Sequence, residues 1–245
     1  MAAGSWKDWT QGEIVTEPLF QDIQDSIAFI YASESAANTA LTNKVEGTQF
    51  YDTTDNVLKI WNGASWDSVG GGLVLLTSST ASASSSLIFD NFVDDTKYTS
   101  YKVVFENIAP ATDNATFRGN FRQGGASGSD LTGTYRRSSV DEYINSATSG
   151  RFVSNQSDTN FEDLAFGIGT ATGEDVSGLA DFFPSTSNKI PFITTKIGYR
   201  RANNDIQHNQ TTMTIDTTTL TTGLKFYFST GNIASGTIYI YGVSK

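Results

Sequence analysis

The spacing of apolar residues predicts one short helix near the N-terminus. Thr16 suits the N-cap of a helix and Pro18 suits its first turn. Apolar side chains then recur at helical spacing, at Leu19, Phe20, Ile23, Ile27, Ile30 and Tyr31. The pattern predicts a helix over about residues 17–32, about 24 Å long. Such a helix is marginal alone and must pack on something. The Ala/Ser/Asn-rich stretch that follows, up to Leu41, either prolongs the helix or breaks it.

The segment "EGTQFYDTTDNVLKIWNGASWDSV", residues 46–69, has an aromatic or aliphatic residue at nearly every second position. This alternation predicts a three-stranded meander, with a first loop at Thr53–Asn56 and a two-residue hairpin turn at Asn62-Gly63. Counting outward from the loops assigns each side chain to a face. One face carries Phe50, Val57, Trp61, Trp66 and the stem of Lys59, and the other carries Tyr51, Leu58, Ile60 and Val69.

Both faces of this meander are apolar, whereas a half-exposed sheet alternates apolar with polar residues. If either face were bare, its exposed apolar area would approach or exceed what soluble monomers usually show, so each face needs a cover. We expect the preceding helix to supply one cover and another copy of the chain to supply the second. Residues 46–69 are therefore predicted to be an oligomerisation module, for which a rotationally symmetric trimer is suitable. The predicted oligomerisation residues are Leu19, Ile23, Ile27, Ile30, Phe50, Tyr51, Leu58, Ile60, Trp61 and Trp66.

After a flexible glycine linker at residues 70–72, the pattern changes to a long series of short strands. Ten are predicted between Gly, Asn, Ser and Asp turns, with no helical window. They are "LVLLTSS", "SLIFDNF", "YKVVFENI", "ATFRGNFR", "TYRRSS", "FEDLAFGIG", "PFITTKIGYR", "TTMTIDT", "LKFYFST" and "GTIYIYGV". This series predicts a β-sandwich of jelly-roll type over residues 73–245. The expected fold is thus mainly β: a short helix, a small meander and a C-terminal sandwich.

In two of these strands the alternation of side chains predicts which face is buried. In "ATFRGNFR", Phe117 and Phe121 face one way and Arg118, Asn120 and Arg122 the other, as in a half-buried strand. In "GTIYIYGV", Ile238 and Ile240 alternate with Tyr239 and Tyr241. The outer face of this last strand is therefore aromatic and suits contact with a neighbouring subunit.

Composition and charge limit the classes of function. The formal charge is −10, of which residues 1–100 carry −9, and all seven arginines lie between Arg118 and Arg201. An acidic chain is poorly suited to bind nucleic acid, which is bound largely through Lys and Arg. The acidic N-terminal part either serves solubility or docks on a basic socket.

We expect no disulfide, because the chain has no cysteine. The start "MAAGSWKDWT" has no signal-peptide pattern, and no apolar run is long enough to span a membrane. We therefore expect a protein that is made in the cytoplasm.

Two motifs resemble structural proteins of tailed bacteriophages. The first, "EGTQFYDTTDNVLKIWNGASW", is similar to a short module in which a phrase like G-x-x-F-Y-D-T-T-x-N-x-L-K-x-Y/W-N-G-x-x-W follows an N-terminal helical part. The second, "FYFSTGNIASGTIYIYGVSK", is similar to the closing strands of β-sandwich domains in tail fibres and virion-surface proteins. The resemblance implies a homotrimer with an N-terminal virion-anchoring part and a solvent-facing β-domain. It brings framework positions only, and no catalytic residue.

Enzymatic chemistry finds little support in the sequence. His208 is the sole histidine and lies in "NNDIQHNQ", which suggests a polar loop, with no nucleophile elbow nearby. One histidine and no cysteine leave no zinc site. A polysaccharide depolymerase needs two facing carboxylates. Carboxylates occur in the acidic dipeptides Asp141-Glu142, Glu162-Asp163 and Glu174-Asp175. Because adjacent residues on a strand point to opposite faces, none of these dipeptides forms such a pair by itself.

Three further features have binding interpretations. Asp90, Asp94 and Asp95 are candidates for a calcium site, without EF-hand spacing. The arginine pairs at 136–137 and 200–201 suit either acidic sugars or intersubunit ion pairs. The Gly-rich stretches "GGASGSD" and "GIGTATGED" lack a phosphate-loop lysine and are expected to be loop tips.

Together these observations predict a non-enzymatic bacteriophage virion protein without a cofactor, displayed on the particle surface as a homotrimeric fibre or spike. Residues 1–45 are expected to anchor it to capsid or tail proteins, with Trp6, Trp9 and Phe20 as anchoring contacts. Residues 46–69 are expected to form the trimer, and residues 73–245 to engage a host surface glycan. The alternatives are a capsid decoration or head-fibre protein and a short polysaccharide depolymerase.

Overall fold

The computed structural model describes residues 29–69, 72–145, 148–159, 162–185 and 189–245. Trp6, Trp9, Leu19, Phe20, Ile23 and Ile27 lie outside these ranges, as does the predicted helix up to residue 28. The chain divides into two compact units, residues 1–71 and 72–245. We call them the N-terminal unit and the distal unit. Both are built around β-sheets, so the predicted mainly-β fold is confirmed.

The N-terminal unit contains one four-stranded sheet in the order β1-β2-β3-β4. Its elements are β1 (Phe29–Tyr31), α1 (Glu34–Ala40), β2 (Gln49–Asp52), β3 (Val57–Trp61) and β4 (Trp66–Val69). The last three strands form the predicted antiparallel meander, while β1 pairs with β2 in parallel. Parallel neighbours require a crossover connection, which α1 supplies. In the described ranges, no helix has the length and apolar character that a membrane span requires.

The predicted helix is wrong at its C-terminal end, because Phe29–Tyr31 is a strand. Its three residues are aromatic or β-branched and pair with β2, where they extend the sheet. The helix of this region is α1, in the Ala/Ser/Asn-rich stretch, capped by Ser33, whose hydroxyl accepts from the Ala36 N–H at 3.3 Å. Residues 29–40, which were expected to belong to the anchoring segment 1–45, thus lie in the same unit as residues 46–69.

The two loops of the meander differ from each other. The first spans Thr53 to Asn56, as predicted. The second spans Asn62 to Ser65, so the two-residue turn predicted at Asn62-Gly63 is wrong. The Asn62 carboxamide oxygen accepts the N–H groups of Ala64 and Ser65 at 2.9 and 2.8 Å, which closes a wider Asx turn. Of the two residues in the predicted turn, only Gly63 has a positive φ, +95°.

The distal unit contains thirteen strands in its described ranges, arranged in two sheets. The strands are β5 (Leu73–Thr80), β6 (Leu87–Phe89), β7 (Tyr98–Pro110), β8 (Ala115–Gln123), β9 (Ser129–Asp130), β10 (Thr134–Ile144), β11 (Ser149–Thr159), β12 (Glu162–Ile168), β13 (Val176–Phe183), β14 (Phe192–Arg200), β15 (Ile206–Ile215), β16 (Gly223–Phe228) and β17 (Ile233–Ser244). A short 3-10 helix, Gly125–Ser127, precedes β9. The larger sheet has the order β11-β10-β15-β14-β13-β7-β17-β5. The smaller one has the order β12-β8-β16-β6, with β9 beside β8.

Eight of these strands follow the order of a jelly roll. Numbered 1 to 8 along the chain, β5, β6, β7, β8, β12, β13, β16 and β17 lie in the sheet orders 1-8-3-6 and 2-7-4-5, and every neighbouring pair is antiparallel. The remaining strands are insertions. β9–β11 follow the fourth strand and β14–β15 follow the sixth, and together β14, β15, β10 and β11 extend one sheet by four strands.

The sequence pattern missed three strands, β9, β11 and β13. β9 has only two residues. β11 is an edge strand rich in Ser, Asn, Gln and Asp, and therefore lacks an apolar period. β13 contains Gly178, at φ +151°, beside a bulge in its pairing with β7. Edge position and bulges both remove the alternation from which strands are predicted.

The core of the distal unit lies between the two sheets. Phe105 of the large sheet packs edge-on against Phe226 and Phe117 of the small sheet, with ring centroids 5.1 and 5.6 Å apart. Ile238 and Ile240 of β17 are fully buried in the same cluster, as their alternation predicted. Aromatic pairs of this geometry add to the stabilisation from burial.

The polar face of β8 differs from the prediction. Phe117 and Phe121 point into the core as expected, but Asn120 and Arg122 on the opposite face are also buried. The strand is therefore covered on both sides at these positions. The cover over Arg122 comes from Asp90 and from Asp130, both of which bind its guanidinium group.

Candidate functional site

One face of the N-terminal sheet is covered by the chain's own helix. Ala37 of α1, Phe50 and Trp66 are buried together, and the Phe50 and Trp66 rings meet edge-on with centroids 4.6 Å apart. The Trp66 indole N–H donates to the Asn38 side chain on α1 at 3.0 Å. Phe50 and Trp66 are thus interior residues of the unit, and half-buried Trp61 packs beside them. These three residues were predicted to be oligomerisation residues, and in this unit all three pack in a cluster with α1 of the same chain.

A buried lysine ties the helix to this sheet. The Lys59 ammonium lies 2.6 Å from Glu34, 3.0 Å from Asp55 and 3.3 Å from Asp52. Burial by itself lowers the pKa of Lys59, but hydrogen bonds to Glu34 and Asp55 outweigh it, so the pKa of Lys59 lies above its usual value. Asp52 is itself buried and accepts the N–H groups of residues 54 and 55. Only the stem of Lys59 was predicted to lie on this face, and its carboxylate partners were not predicted.

The opposite face of the same sheet carries a straight row of apolar side chains. Ile30, Tyr51, Leu58 and Val69 are direct cross-strand neighbours, one from each of the four strands. Ile30 is 72% exposed, Tyr51 38% and Val69 43%, while Leu58 and the adjacent Ile60 are half-buried. We call these five residues the open face. Register places side chains of one face opposite each other, so the row is continuous across the sheet.

The open face unites predicted residues that were expected in different elements. Tyr51, Leu58 and Ile60 were assigned to this face of the meander, and they lie there. Ile30 was expected on a helix and reaches the same face from β1 instead. A helix–strand ambiguity of this kind is common for short apolar runs such as "FIY".

The acidic dipeptides of the distal unit are divided between faces. Asp141 is buried and accepts from Ser139 at 3.0 Å and from Asn209, whereas Glu142 is exposed. Asp163 accepts from Arg118 at 2.7 Å. Glu174 and Asp175 lie in the turn before β13, where the Glu174 carboxylate accepts the Ala171 N–H at 2.8 Å.

Two of the three aspartates proposed for calcium, Asp90 and Asp94, have separate local roles. Asp90 accepts two hydrogen bonds from the Arg122 guanidinium, at 2.6 and 3.0 Å. Asp94 accepts the N–H and the hydroxyl of Thr96, which lowers the pKa of this carboxyl. Within the described ranges, no group of three or more potential metal ligands is found.

His208 and the first arginine pair are accounted for by local contacts. His208 lies on β15, and not in a polar loop as predicted, with its Nδ1 3.9 Å from Glu142. Arg136 forms an exposed ion pair with Asp216 at 2.9 Å. Arg137 is buried and donates to the Asp163 carbonyl at 2.8 Å. All of these are contacts within one chain.

An aromatic cavity of about 890 Å³ lies at the end of the large sheet where β5 begins. Its lining includes Tyr98, Tyr101, Phe183 and Phe192, of which Phe183 and Phe192 are exposed cross-strand neighbours. The Tyr101 hydroxyl accepts the Asp94 N–H at 2.6 Å. This cavity was not predicted, because its residues come from four separate stretches of chain.

Two buried tyrosines make the distal unit sensitive to alkaline pH. Burial raises the pKa of Tyr101 and the pKa of Tyr199 to about 12, from 10. The unfolded chain therefore ionises first, and the stabilising contribution is complete below pH 10 and is lost between pH 10 and 12. We expect a loss of about 2–3 kcal/mol for each tyrosine across this window.

Urea unfolding followed by circular dichroism at several pH values measures this loss, and tyrosinate absorbance reports the ionisation. In Tyr101→Phe and Tyr199→Phe, the fall in stability should become about half as steep. A stability that stays constant from pH 10 to 12 in the parent protein would contradict the prediction.

Comparison of the chain with protein-family models, with curated proteins and with solved structures finds no match in any of the three. The site is therefore interpreted from its own geometry.

Proposed function

We propose that the protein is a non-enzymatic structural component of a bacteriophage virion. It forms a homotrimeric fibre or spike on the particle surface, attached through residues 1–28 to capsid or tail proteins. The open face of the N-terminal unit joins the three copies. The distal unit of each copy engages a host surface glycan, where three weak sites on one trimer act together through effective concentration.

The observation that carries this proposal is the open face. Helix α1 covers one side of the sheet, while the other side retains the row of apolar side chains from Ile30 to Val69. Contiguous exposed apolar side chains indicate a binding surface. Further copies of the chain are the occupants we propose, because the row is apolar along its whole length and three copies of it can converge on a threefold axis.

The architecture of the distal unit supports the same proposal. A jelly roll is frequent in viral capsid proteins and in lectins, although a fold alone does not fix a function. The resemblance of residues 46–66 and 226–245 to phage virion proteins points in the same direction.

The size of the assembly tests the proposal. We expect native mass spectrometry and sedimentation of the full chain to give three times the 26.5 kDa chain mass. The variant Tyr51→Glu/Val69→Glu should dissociate to monomers, because its carboxylates would be desolvated on association. Thr42→Glu, an exposed position after α1, is the matched control and should remain trimeric.

A parent chain that stays monomeric at micromolar concentration would exclude the trimer. A trimer that persists in the double variant would exclude the open face as its interface. Electron microscopy of labelled virions then locates the protein. Density on the tail supports a role in host attachment, whereas density on the head would identify a decoration or head-fibre protein.

A further inference from the structure

One arginine of the distal unit has no partner among the described residues. The guanidinium groups of the other six each have a hydrogen bond or ion pair; these are Arg118, Arg122, Arg136, Arg137, Arg151 and Arg200. Arg201 makes no such contact within the described ranges, and its Nε is buried without an acceptor. Guanidinium donors that no acceptor of the described residues satisfies are available to an acceptor on a ligand.

The backbone on both sides holds Arg201 in place. Its N–H donates to the Asp205 carbonyl at 2.9 Å, and the N–H of Ala202 donates to the Gly167 carbonyl at 3.0 Å. A β-bridge also joins Arg201 to Ile168. The side chain therefore projects from a fixed point, and a preorganised group loses less entropy when a ligand binds.

The guanidinium lines a cavity of about 320 Å³ together with Asp113, Asn114, Gly167, Ala202 and Asn203. Gly167 has a φ of +65°, and a Cβ there would lie 3.0 Å from the Arg201 Nε and 2.9 Å from the Asn114 side-chain oxygen. Glycine at this position lets the guanidinium lie directly against the backbone. The cavity is small, and four of its six lining residues are polar or charged.

The lining residues define the chemistry of a ligand. The guanidinium pairs with a carboxylate through two parallel hydrogen bonds. Asp113 accepts hydrogen bonds from hydroxyl groups, and the carboxamides of Asn114 and Asn203 both donate and accept. The charge of Asp113 disfavours a dianion such as phosphate. The volume is at the lower end for ligand sites and suits one sugar residue.

The cavity lies at the end of the sandwich opposite the linker. At one end Leu73, next to Gly72, pairs with Val243, and at the other end Pro110 pairs with Ile233. The loops that form the cavity, 111–114 and 201–205, leave β7 and β14 at the second end. The cavity therefore opens on the side of the distal unit that is remote from the point where the chain enters it.

We propose that the Arg201 cavity binds the carboxylate and adjacent hydroxyl groups of an acidic sugar residue. This assigns a ligand class to the host-surface role proposed above and rests on that role for its biological meaning. The binding reaction itself is independent of the oligomeric state.

Binding is tested on the full-length chain by NMR titration with glucuronate, with glucose and inorganic phosphate as comparison probes. We expect saturable glucuronate binding at millimolar concentration, and at least tenfold weaker binding of glucose. Arg201→Gln should weaken glucuronate binding at least tenfold, and Arg201→Lys severalfold, because lysine keeps the charge but not the paired donors. Arg136→Gln, which removes an exposed arginine elsewhere, is the matched control and should bind as the parent does.

Asp113→Ala provides a second variant at an exposed position and should weaken glucuronate binding severalfold. Equal binding of glucuronate by the parent and Arg201→Gln, or no binding by the parent, would overturn the proposal. Tighter binding of phosphate than of glucuronate would show that the cavity binds a simple anion and not an acidic sugar, and would overturn the proposal. A trimer that does not bind glucuronate would contradict only this inference, and a monomer that binds it would contradict only the assembly.

Discussion

Replacing Arg122 with methionine is expected to lower the free energy of unfolding of the distal unit by about 3–5 kcal/mol. The Arg122 guanidinium donates two hydrogen bonds to Asp90, at 2.6 and 3.0 Å, and further bonds to Asp130 and the Gly128 carbonyl. Only 8% of the side chain is exposed. Methionine fills a similar volume, so the loss in the free energy of unfolding measures the effect of leaving the Asp90 and Asp130 carboxylates without the guanidinium. Asp130 keeps one contact, with Lys225 at 2.8 Å.

Urea unfolding followed by far-UV circular dichroism measures this loss. The matched control is Arg136→Met. The side chains of Arg136 and its ion-pair partner Asp216 are 63% and 58% exposed, so this ion pair contributes at most about 1 kcal/mol. In the double variant Arg122→Met/Asp90→Asn, part of the lost stability should return, because one uncompensated charge is removed. If Arg122→Met and Arg136→Met lower the free energy of unfolding by the same amount, the buried contacts of Arg122 do not stabilise the unit more than an exposed ion pair does.

Replacing Lys59 with methionine is expected to unfold most of the N-terminal unit. The ammonium group lies within 3.3 Å of Glu34, Asp55 and buried Asp52. Without it, three carboxylates face each other and Asp52 remains buried, at a cost of about 3–5 kcal/mol. A unit of this size rarely has more stability than that to lose.

Tryptophan fluorescence isolates this effect, because all four tryptophans of the chain lie in residues 1–71. We expect a red shift for Lys59→Met in native buffer, with the circular dichroism transition of the distal unit unchanged. Lys44→Met is the control. The Lys44 ammonium lies over the Trp61 ring, 4.4 Å from its centroid, and loss of this contact should cost about 1 kcal/mol or less. Equal protein concentrations are needed, since association alters apparent stability. Native-like fluorescence in Lys59→Met would show that the carboxylates do not require this cation.

These two positions illustrate what a periodic pattern leaves out. Lys59 and Arg122 each lie on a strand whose alternation was predicted correctly. The stem of Lys59 was placed on an apolar face, and Arg122 on the polar face of a half-buried strand. Both are buried because carboxylates from distant parts of the chain neutralise them; Glu34 is 25 residues from Lys59 and Asp90 is 32 from Arg122. Periodicity reports the face of a strand and not the partner that covers it.

The open face shows a similar division between local and long-range information. Its meander residues were assigned correctly because loop positions set the register, and a register fixes the face of every side chain. Ile30 was assigned to a helix, since "FIY" satisfies both periods. Pairing of β1 with β2 decided between them, and that pairing depends on residues about twenty positions later.

The sequence by itself determined the mainly-β class, the division near Gly70–Gly72 into a small unit and a large sandwich, and the inward-facing side chains of strands such as Ile238 and Ile240. Those features follow from period, turn residues and composition, which are local. Tertiary structure alone decided that α1 covers the Phe50 face while Ile30, Tyr51 and Val69 on the other face are exposed, and that Arg201 has no side-chain partner among the described residues. These outcomes depend on which distant groups come within a few ångströms of one another, and no local pattern encodes that distance.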